Sequence, residues 1–322
     1  MIKNAIENLL ISISLRIKPK SYQNTMLALE TPNLLLFSQH GLNDNNQAME
    51  SLAHSIAPPE TYVVAPNLGL KTFFAIEPLI SEVERSAEQV FEQYPGIPAR
   101  IIAVSLGGIL WVEVLSRHPE WWQRLESIIL LGSPLGGADL ARIIDPFGWG
   151  IGIAKELGRN RRPLAEKITA KIPTLVVAGN TTGGGDHTVS IESTKLKHAH
   201  FVCLEGVSHP NLRTDPKVNN EILKFWSSSK TPLPAPQDDR TSRLIEHFRS
   251  VTGITDADER DFPSARTIHS FEDGTSIRTW TNLVGVQHVF IASQDGKCEY
   301  AAFVGWIHSS GLQQAIDIAI QA

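Results

Sequence analysis

The sequence predicts a doubly wound α/β fold, a mostly parallel β-sheet with helices on both faces, followed by a second, small α+β domain. Short apolar, β-branched runs alternate with helical stretches over the first 228 residues, and this alternation is typical of a parallel sheet covered by helices. The runs Ser127–Leu131 and Thr174–Ala178 are continuously apolar or β-branched after their first residue. Strands buried on both faces have this composition.

Six strands and four helices account for this part of the chain. The strands are expected at Leu34–Ser38, Thr61–Ala65, Arg100–Val104, Ser127–Leu131, Thr174–Ala178 and His200–Leu204. The helices are expected at residues 44–56, 77–94, 106–118 and 215–227. Pro119 ends the third helix, because a proline disfavours the helical conformation of the residue before it.

The longest interruption of this pattern lies at residues 137–170, after the fourth strand. We interpret it as a small cap, because ligand crevices of open α/β sheets form at the carboxyl ends of the strands. Arg159, Arg161 and Arg162 are expected on a solvated face of it. Its apolar side chains favour an apolar ligand; they are Ile143, Ile144, Phe147, Trp149, Ile151 and Ile153.

A proline-rich linker at residues 230–236 divides the chain into domains of about 1–229 and 237–322. Prolines at alternate positions favour an extended spacer. Beyond it we expect helices at 238–250 and 311–321, with three or four strands between them. The strand candidates are Ala265–Phe271, Ser276–Leu283, His288–Ser293 and Glu299–Ile307. Two Asp-Gly pairs, at 273–274 and 295–296, predict tight hairpin turns.

The charge is also divided at the linker. The net charge is −5, and residues 237–322 hold 12 acidic and 7 basic side chains, so the first 236 residues are neutral. This balance gives no indication of a nucleic-acid partner. No family resemblance is recognised for the C-terminal domain. We expect it to bind a protein partner or a second copy of the chain, with contact to the cap over the active site as a weaker alternative.

Cysteine content and the N-terminus predict the compartment. Cys203 and Cys298 are the two cysteines, too few for a disulfide framework, which suits a reducing compartment. No apolar run is long enough for a spanning helix, and no signal peptide is recognised. We therefore expect a cytoplasmic protein. Residues 2–17 are interpreted as an amphipathic helix that packs on the protein or contacts a membrane surface.

The most informative segment is Ala103-Val104-Ser105-Leu106-Gly107-Gly108, between a predicted strand and a predicted helix. A serine nucleophile above a sheet needs a sharp strand-to-helix turn, and small residues two positions before and after it permit that turn. Ala103 and Gly107 fill those positions. Ser105 would also begin a helix, whose free N–H groups favour a developing anion. The alternative is a glycine-rich turn with an idle serine.

A nucleophilic serine needs a base, and the base needs an orienting carboxylate. On this kind of sheet the chain order is Ser, acid, His. Asp186 follows the fifth predicted strand and is the candidate acid, with Glu192 as the alternative; His209 follows the sixth strand and is the candidate base. The competing histidines are less well placed: His187 adjoins Asp186, and His198 and His200 begin a strand.

Two backbone N–H groups are expected to form an oxyanion hole. One belongs to Leu106, directly after the nucleophile. The other is assigned to Leu42, in the loop after the first strand. Gly41 permits the tight backbone that such a loop needs, and His40 would support it.

These motifs together resemble the α/β-hydrolase superfamily, in particular its lipase/esterase-like members, over residues of about 30–228. Residues 131–137, Leu-Gly-Ser-Pro-Leu-Gly-Gly, are similar to a Ser/Thr-Pro-His-x-Gly segment of lipases and related acyl hydrolases. Two positions depart from the family: Ala103 replaces the first glycine of the turn, and Leu135 stands where many lipases have histidine.

The resemblance implies hydrolysis of a carboxylic ester through an acyl-enzyme on Ser105, without a metal or cofactor. Together with the apolar cap, it favours a lipid-like or apolar acyl ester as the small-molecule substrate. Two alternatives stay open. One is a thioesterase or amidase that uses the same triad, and the other is a non-catalytic binding or scaffold protein that keeps the fold.

Overall fold

A computed structural model describes residues 31–69, 75–137, 156–181, 184–186, 188–228, 231–234 and 238–321. The described residues from Pro32 onward group into one compact unit. Residues 2–17, interpreted above as an amphipathic helix, lie outside the described residues. In the part of the chain that is described, no helix is both long enough and apolar enough to cross a bilayer.

Six parallel strands form the main sheet, in the order β2-β1-β3-β4-β5-β6. They are β1 (Leu34–Gln39), β2 (Thr61–Val64), β3 (Ala99–Val104), β4 (Leu125–Leu131), β5 (Thr174–Asn180) and β6 (His200–Glu205). In register, Gln39 lies opposite Ala103, and Val104 opposite Leu131. The loops that follow β1, β3 and β4 therefore leave the same edge of the sheet.

Helices cover both faces of this sheet, and their bounds agree with the prediction within about two residues where one was made. They are α1 (Asn46–Ile56), α2 (Ile76–Gln93), α3 (Leu106–Arg117), α4 (Arg162–Thr169), α5 (Ile191–Thr194) and α6 (Pro216–Ser227). One core contains side chains of α2, α3 and α4, and a second, on the other face, contains those of α1 and α6. The predicted doubly wound α/β architecture, a parallel sheet with helices on both faces, is confirmed.

The structure places part of the predicted cap in the fold itself. Helix α4 buries Ala165 and Ile168 in the same core as α3, so residues 162–169 cover the sheet. Residues 138–155, with all six apolar side chains assigned to the cap, lie outside the described residues. The solvated face predicted for the arginines is wrong at two positions, because Arg161 and Arg162 are only 3% and 2% exposed.

The C-terminal part is α+β, as predicted. Its antiparallel sheet has the order β7-β11-β10-β9-β8. The strands are β7 (Ile254–Asp256), β8 (Arg266–Ser270), β9 (Ser276–Thr281), β10 (Gln287–Ala292) and β11 (Cys298–Val304), with α7 (Arg240–Arg249) before them and α8 (Ser309–Gln321) after them. The three-residue strand β7 was not predicted. A separate core contains Phe248, Val289 and Ile316.

Candidate active site

Ser105 lies at the turn between β3 and α3, with φ 54° and ψ −124°. This backbone conformation is rare for a residue with a side chain and costs on the order of 1–3 kcal/mol. The Ser105 N–H donates to the Leu131 carbonyl at 2.9 Å, which fastens the turn to the end of β4. Sharp turns of this kind place a side chain above the sheet edge. The residue is 8% exposed.

Two glycines bring the loop after β1 against this turn. A Cβ atom on Gly107 would lie 2.7 Å from the Gln39 carbonyl oxygen and 2.8 Å from that of His40. A Cβ atom on Gly41 would lie 3.0 Å from the Ser105 Cβ. Only glycine at 107 permits so close an approach to backbone atoms. The segment expected to form the oxyanion hole therefore contacts the candidate nucleophile.

His40 fixes that loop through both ring nitrogens. Its Nε2 accepts a hydrogen bond from the Leu68 N–H at 2.9 Å, so the proton is on Nδ1, which donates to the Gly41 carbonyl at 2.9 Å. Burial lowers the pKa of His40 below its usual range, and this outweighs the opposing effects of the Gly41 carbonyl and Asp44. A neutral imidazole in a single tautomer suits the supporting position predicted for it. The sequence did not reveal Leu68 as its partner.

The structure brings Asp186 and His209 together. His209 Nδ1 lies 2.7 Å from Asp186 Oδ2, and the Asp186 side chain is 2% exposed. The other carboxylate oxygen accepts from the N–H groups of Thr188 at 3.0 Å and Val189 at 2.8 Å. A carboxylate beside Nδ1 fixes the tautomer in which Nδ1 carries the proton, which leaves Nε2 with a free lone pair.

Ser105 and His209 both contact the end of β4. The Ser105 N–H bonds to Leu131. A Cβ atom on the next residue, Gly132, would lie 3.1 Å from Cε1 and Nδ1 of the His209 ring. Gly132 has a φ of +54°, so a side chain there would be strained as well as crowded. The elements that carry the nucleophile, the acid and the base thus meet at one edge of the sheet.

Glu192, the alternative acid, has other partners. Its Oε1 accepts from Arg249 Nη2 at 2.6 Å, and its Oε2 pairs with Lys195 at 2.8 Å. Burial would raise the pKa of Glu192, but the positive charges of Lys195 and Arg249 lower it below its usual range. His198 Nδ1 hydrogen-bonds to the Leu233 carbonyl at 2.8 Å. The remaining competitors are His200, whose ring lies edge-on to Phe225, and His187, which lies outside the described residues.

One ion pair at the site was missed from the sequence. Arg213 donates to the carboxylate of Asp44. Asp44 lies two residues after Leu42, and Arg213 four residues after His209. No sequence pattern indicates that two charged residues so far apart in the chain form an ion pair. Among the described residues, no group of three or more His, Cys, Asp or Glu side chains is arranged to hold a metal ion.

No protein-family model matches the sequence, and comparison with curated proteins gives no match. Solved structures do match. The lipase BlEst2 of Bacillus licheniformis in its mature form is 18% identical, over 61% of this chain and 91% of that chain, with a TM-score of 0.44. Its propeptide form is 13% identical, over 86% of this chain and 72% of that chain, with a TM-score of 0.48.

A third solved structure, the product of lin2722 from Listeria innocua, is 13% identical over 63% of this chain and 96% of that chain, with a TM-score of 0.46. At these identities the likeness concerns the fold alone.

Proposed function

We propose that the protein is a serine hydrolase that cleaves a carboxylic ester through an acyl-enzyme. Ser105 is the nucleophile, His209 the base and Asp186 the group that orients the base. The observation that carries the proposal is the 2.7 Å contact between Asp186 and His209, at the sheet edge where Ser105 occupies a strained strand-to-helix turn.

The hydrogen bond between His209 and Asp186 supports one direction of proton transfer. With the Nδ1 proton directed at Asp186, His209 Nε2 accepts the proton of Ser105 as its Oγ attacks the ester carbonyl carbon. The imidazolium then protonates the leaving alcohol, and the acyl group stays on Ser105. In the second half-reaction His209 removes a proton from water as the water attacks the acyl carbon. It returns that proton to Ser105 Oγ as the bond to Ser105 breaks and the carboxylic acid leaves. Asp186 remains ionised and stabilises the imidazolium in both halves.

The oxyanion is assigned to the N–H groups of Leu106 and Leu42. Leu106 is the first residue of α3, and the first N–H groups of a helix have no partner within it. Gly41 lies against Ser105. Leu42 is assigned as the second donor because it directly follows Gly41. One such donor contributes about 2.7–4 kcal/mol to stabilisation of the tetrahedral intermediate.

We propose a lipid-like or apolar acyl ester as the substrate. This part rests on the apolar composition of residues 143–153, which lie outside the described residues. Thioesters and amides would use the same groups, so a substrate panel has to include them.

A panel of p-nitrophenyl esters of increasing acyl length, with a matched thioester and anilide, tests the proposal. We expect ester turnover by the wild-type protein and none by Ser105→Ala. Ser105→Ala and His209→Ala should be about equally damaging, and the double variant no worse, because members of a triad act as a unit. A folded Ser105→Ala variant that keeps its activity would contradict the proposal. A wild-type protein inert on the whole panel would favour a non-catalytic binding protein.

A further inference from the structure

Buried charges join the C-terminal part of the chain to the part that carries the candidate site. Arg162, at the start of α4, donates to the carboxylate of Asp256 on β7, and the two side chains are 3% and 1% exposed. The other oxygen of that carboxylate accepts from the Tyr300 hydroxyl at 2.9 Å. Both oxygens of Asp256 therefore have a donor in a region shielded from water.

A second ion pair crosses between the same two parts. Arg249, at the end of α7, donates to Glu192 of α5 at 2.6 Å and to Glu246 at 3.0 Å. Burial would lower the pKa of Arg249, but the charges of Glu192 and Asp256 outweigh it and raise the pKa. The guanidinium also lies over the Tyr300 ring, 5.4 Å from its centre. Arg249 and Asp256 thus belong to one buried cluster, whose other members are Arg162, Glu192 and Tyr300.

This cluster holds the C-terminal end of the loop that contains Asp186. Arg162 also donates to the carbonyl of Glu192 at 2.8 Å and to that of Lys195 at 3.0 Å, so it fixes backbone as well as charge. The Ile191 N–H bonds to the Gly184 carbonyl at 2.9 Å and closes the segment into a loop.

The other side of the loop is also in contact with the C-terminal part. A Cβ atom on Gly184 would lie 2.6 Å from the Asp258 Cβ. The loop is therefore confined between α5, which Glu192 ties to Arg249, and residues that follow β7.

We propose that Arg249 and Asp256 are positioning residues, which fix residues 184–186 and 188–192 through Glu192 and Arg162 and so present Asp186 to His209. The inference rests on the proposed function, since it assigns a task relative to that triad. Neither residue contacts Ser105, Asp186 or His209 directly; both act through the loop. The C-terminal part then supplies no reacting group, yet it sets the geometry of the acid.

The test compares two variants with a matched control. Asp256→Asn and Arg249→Gln each remove one charge from the buried cluster. Lys197→Gln removes an ion pair between the same two parts, Lys197 with Glu246 at 2.8 Å, whose side chains are 33% and 42% exposed. We expect the two test variants to lower kcat by about 10- to 100-fold, the scale of a 1 Å misplacement, with KM unchanged. Lys197→Gln should keep wild-type values.

A spectroscopic signal distinguishes a role in positioning Asp186 from a role that only holds the C-terminal part against the rest of the chain. The proton on His209 Nδ1, bonded to Asp186, should give a far-downfield NMR resonance, assigned by its loss in His209→Gln. It should shift or broaden in Asp256→Asn and Arg249→Gln, and persist in Lys197→Gln. The signal does not depend on turnover, so it remains readable if the proposed ester hydrolysis fails.

Two results would overturn the inference. One is a wild-type resonance and kcat in the folded test variants. The other is a lowered melting temperature with an unchanged kcat. It would show that these residues only hold the C-terminal part against the rest of the chain. If Asp256→Asn does not fold, Arg249→Gln decides the question, because Glu192 keeps Lys195 as a partner there.

Discussion

Arg213 donates a hydrogen bond to the carboxylate of Asp44, a residue 169 positions earlier in the chain. The ion pair connects the loop that contains Leu42 with the 3₁₀ turn His209–Arg213. Two of the groups assigned to catalysis thus belong to segments that are tied together beside the site. The Asp44 side chain is 11% exposed and that of Arg213 is 30% exposed, so the pair is only partly screened by water.

Loss of this pair should affect turnover more than stability. We expect Arg213→Gln to lower kcat by about tenfold, short of the ~100-fold that a full 1 Å misplacement can cost. A comparison of Tm and kcat against Arg85→Gln checks this, because Arg85 forms an exposed ion pair with Glu82 on α2, where its side chain is 62% exposed. Equal effects of the two substitutions on kcat would show that the ion pair between Arg213 and Asp44 has no specific role in turnover.

The environment of His40 predicts a pH dependence of stability. Its pKa in the folded protein lies below the ordinary value of 6.5, so between those two values the unfolded chain binds more protons than the folded one. The free energy of unfolding should therefore fall as the pH drops below about 6.5.

Denaturant titrations of the wild type and of His40→Asn, at pH 7.5 and at lower pH values, measure this dependence. The decrease in the free energy of unfolding from pH 7.5 to the lower pH values should be smaller in the variant than in the wild type. An identical pH dependence in both proteins would show that His40 is not responsible for it.

The close approach at Gly107 makes that residue sensitive to a single methyl group. Gly107→Ala places a Cβ atom 2.7 Å from a backbone oxygen of Gln39, and backbone can yield only if α3 or the loop moves. We expect a loss of stability of about 1–3 kcal/mol, typical of overpacking, and a lower kcat. Gly305→Ala is the matched control, because no atom beyond the neighbouring residues in the chain lies within 4 Å of the added Cβ. Equal stability of both variants would contradict the packing described.

The hydrogen bonds favour Asp186 over Glu192 as the candidate acid. Asp186→Asn should lower kcat by about 10⁴, because the amide stabilises the wrong tautomer of His209. Glu192→Gln should have the smaller effect of a positioning residue, since its carboxylate bonds to Arg249 rather than to the base. The two kcat values on one ester decide between them. An Asp186→Asn variant that keeps nearly all of its kcat, together with a Glu192→Gln variant that loses its activity, would transfer the role to Glu192.

The main sheet, and the strands that Ser105, Asp186 and His209 follow, could be predicted from the sequence because both leave local signals. Apolar runs mark the strands, and small residues around Ser105 mark its turn. The residues at strand ends then share an edge through topology alone, which brought Asp186 and His209 within hydrogen-bond distance.

Contacts between distant segments leave no such pattern. Arg161 and Arg162 follow a glycine and other polar residues and so resemble a solvated stretch, whereas the fold buries both. The partner that makes burial of Arg162 tolerable, Asp256, lies 94 residues away, on a strand too short to show any alternation. The division of the chain into domains at residues 230–236 stays a prediction, since the C-terminal part has its own core but shares buried charges with the part before it.

Labelling by a fluorophosphonate probe tests the central claim most directly, because the probe reacts with an activated serine and needs no knowledge of the substrate. The measurement is the mass of the intact protein after exposure, followed by peptide mapping of the adduct. We predict a single adduct on Ser105, absent in Ser105→Ala and formed far more slowly in His209→Ala. A folded wild-type protein that gains no adduct, or an adduct on another serine, would contradict the assignment of Ser105 as the nucleophile.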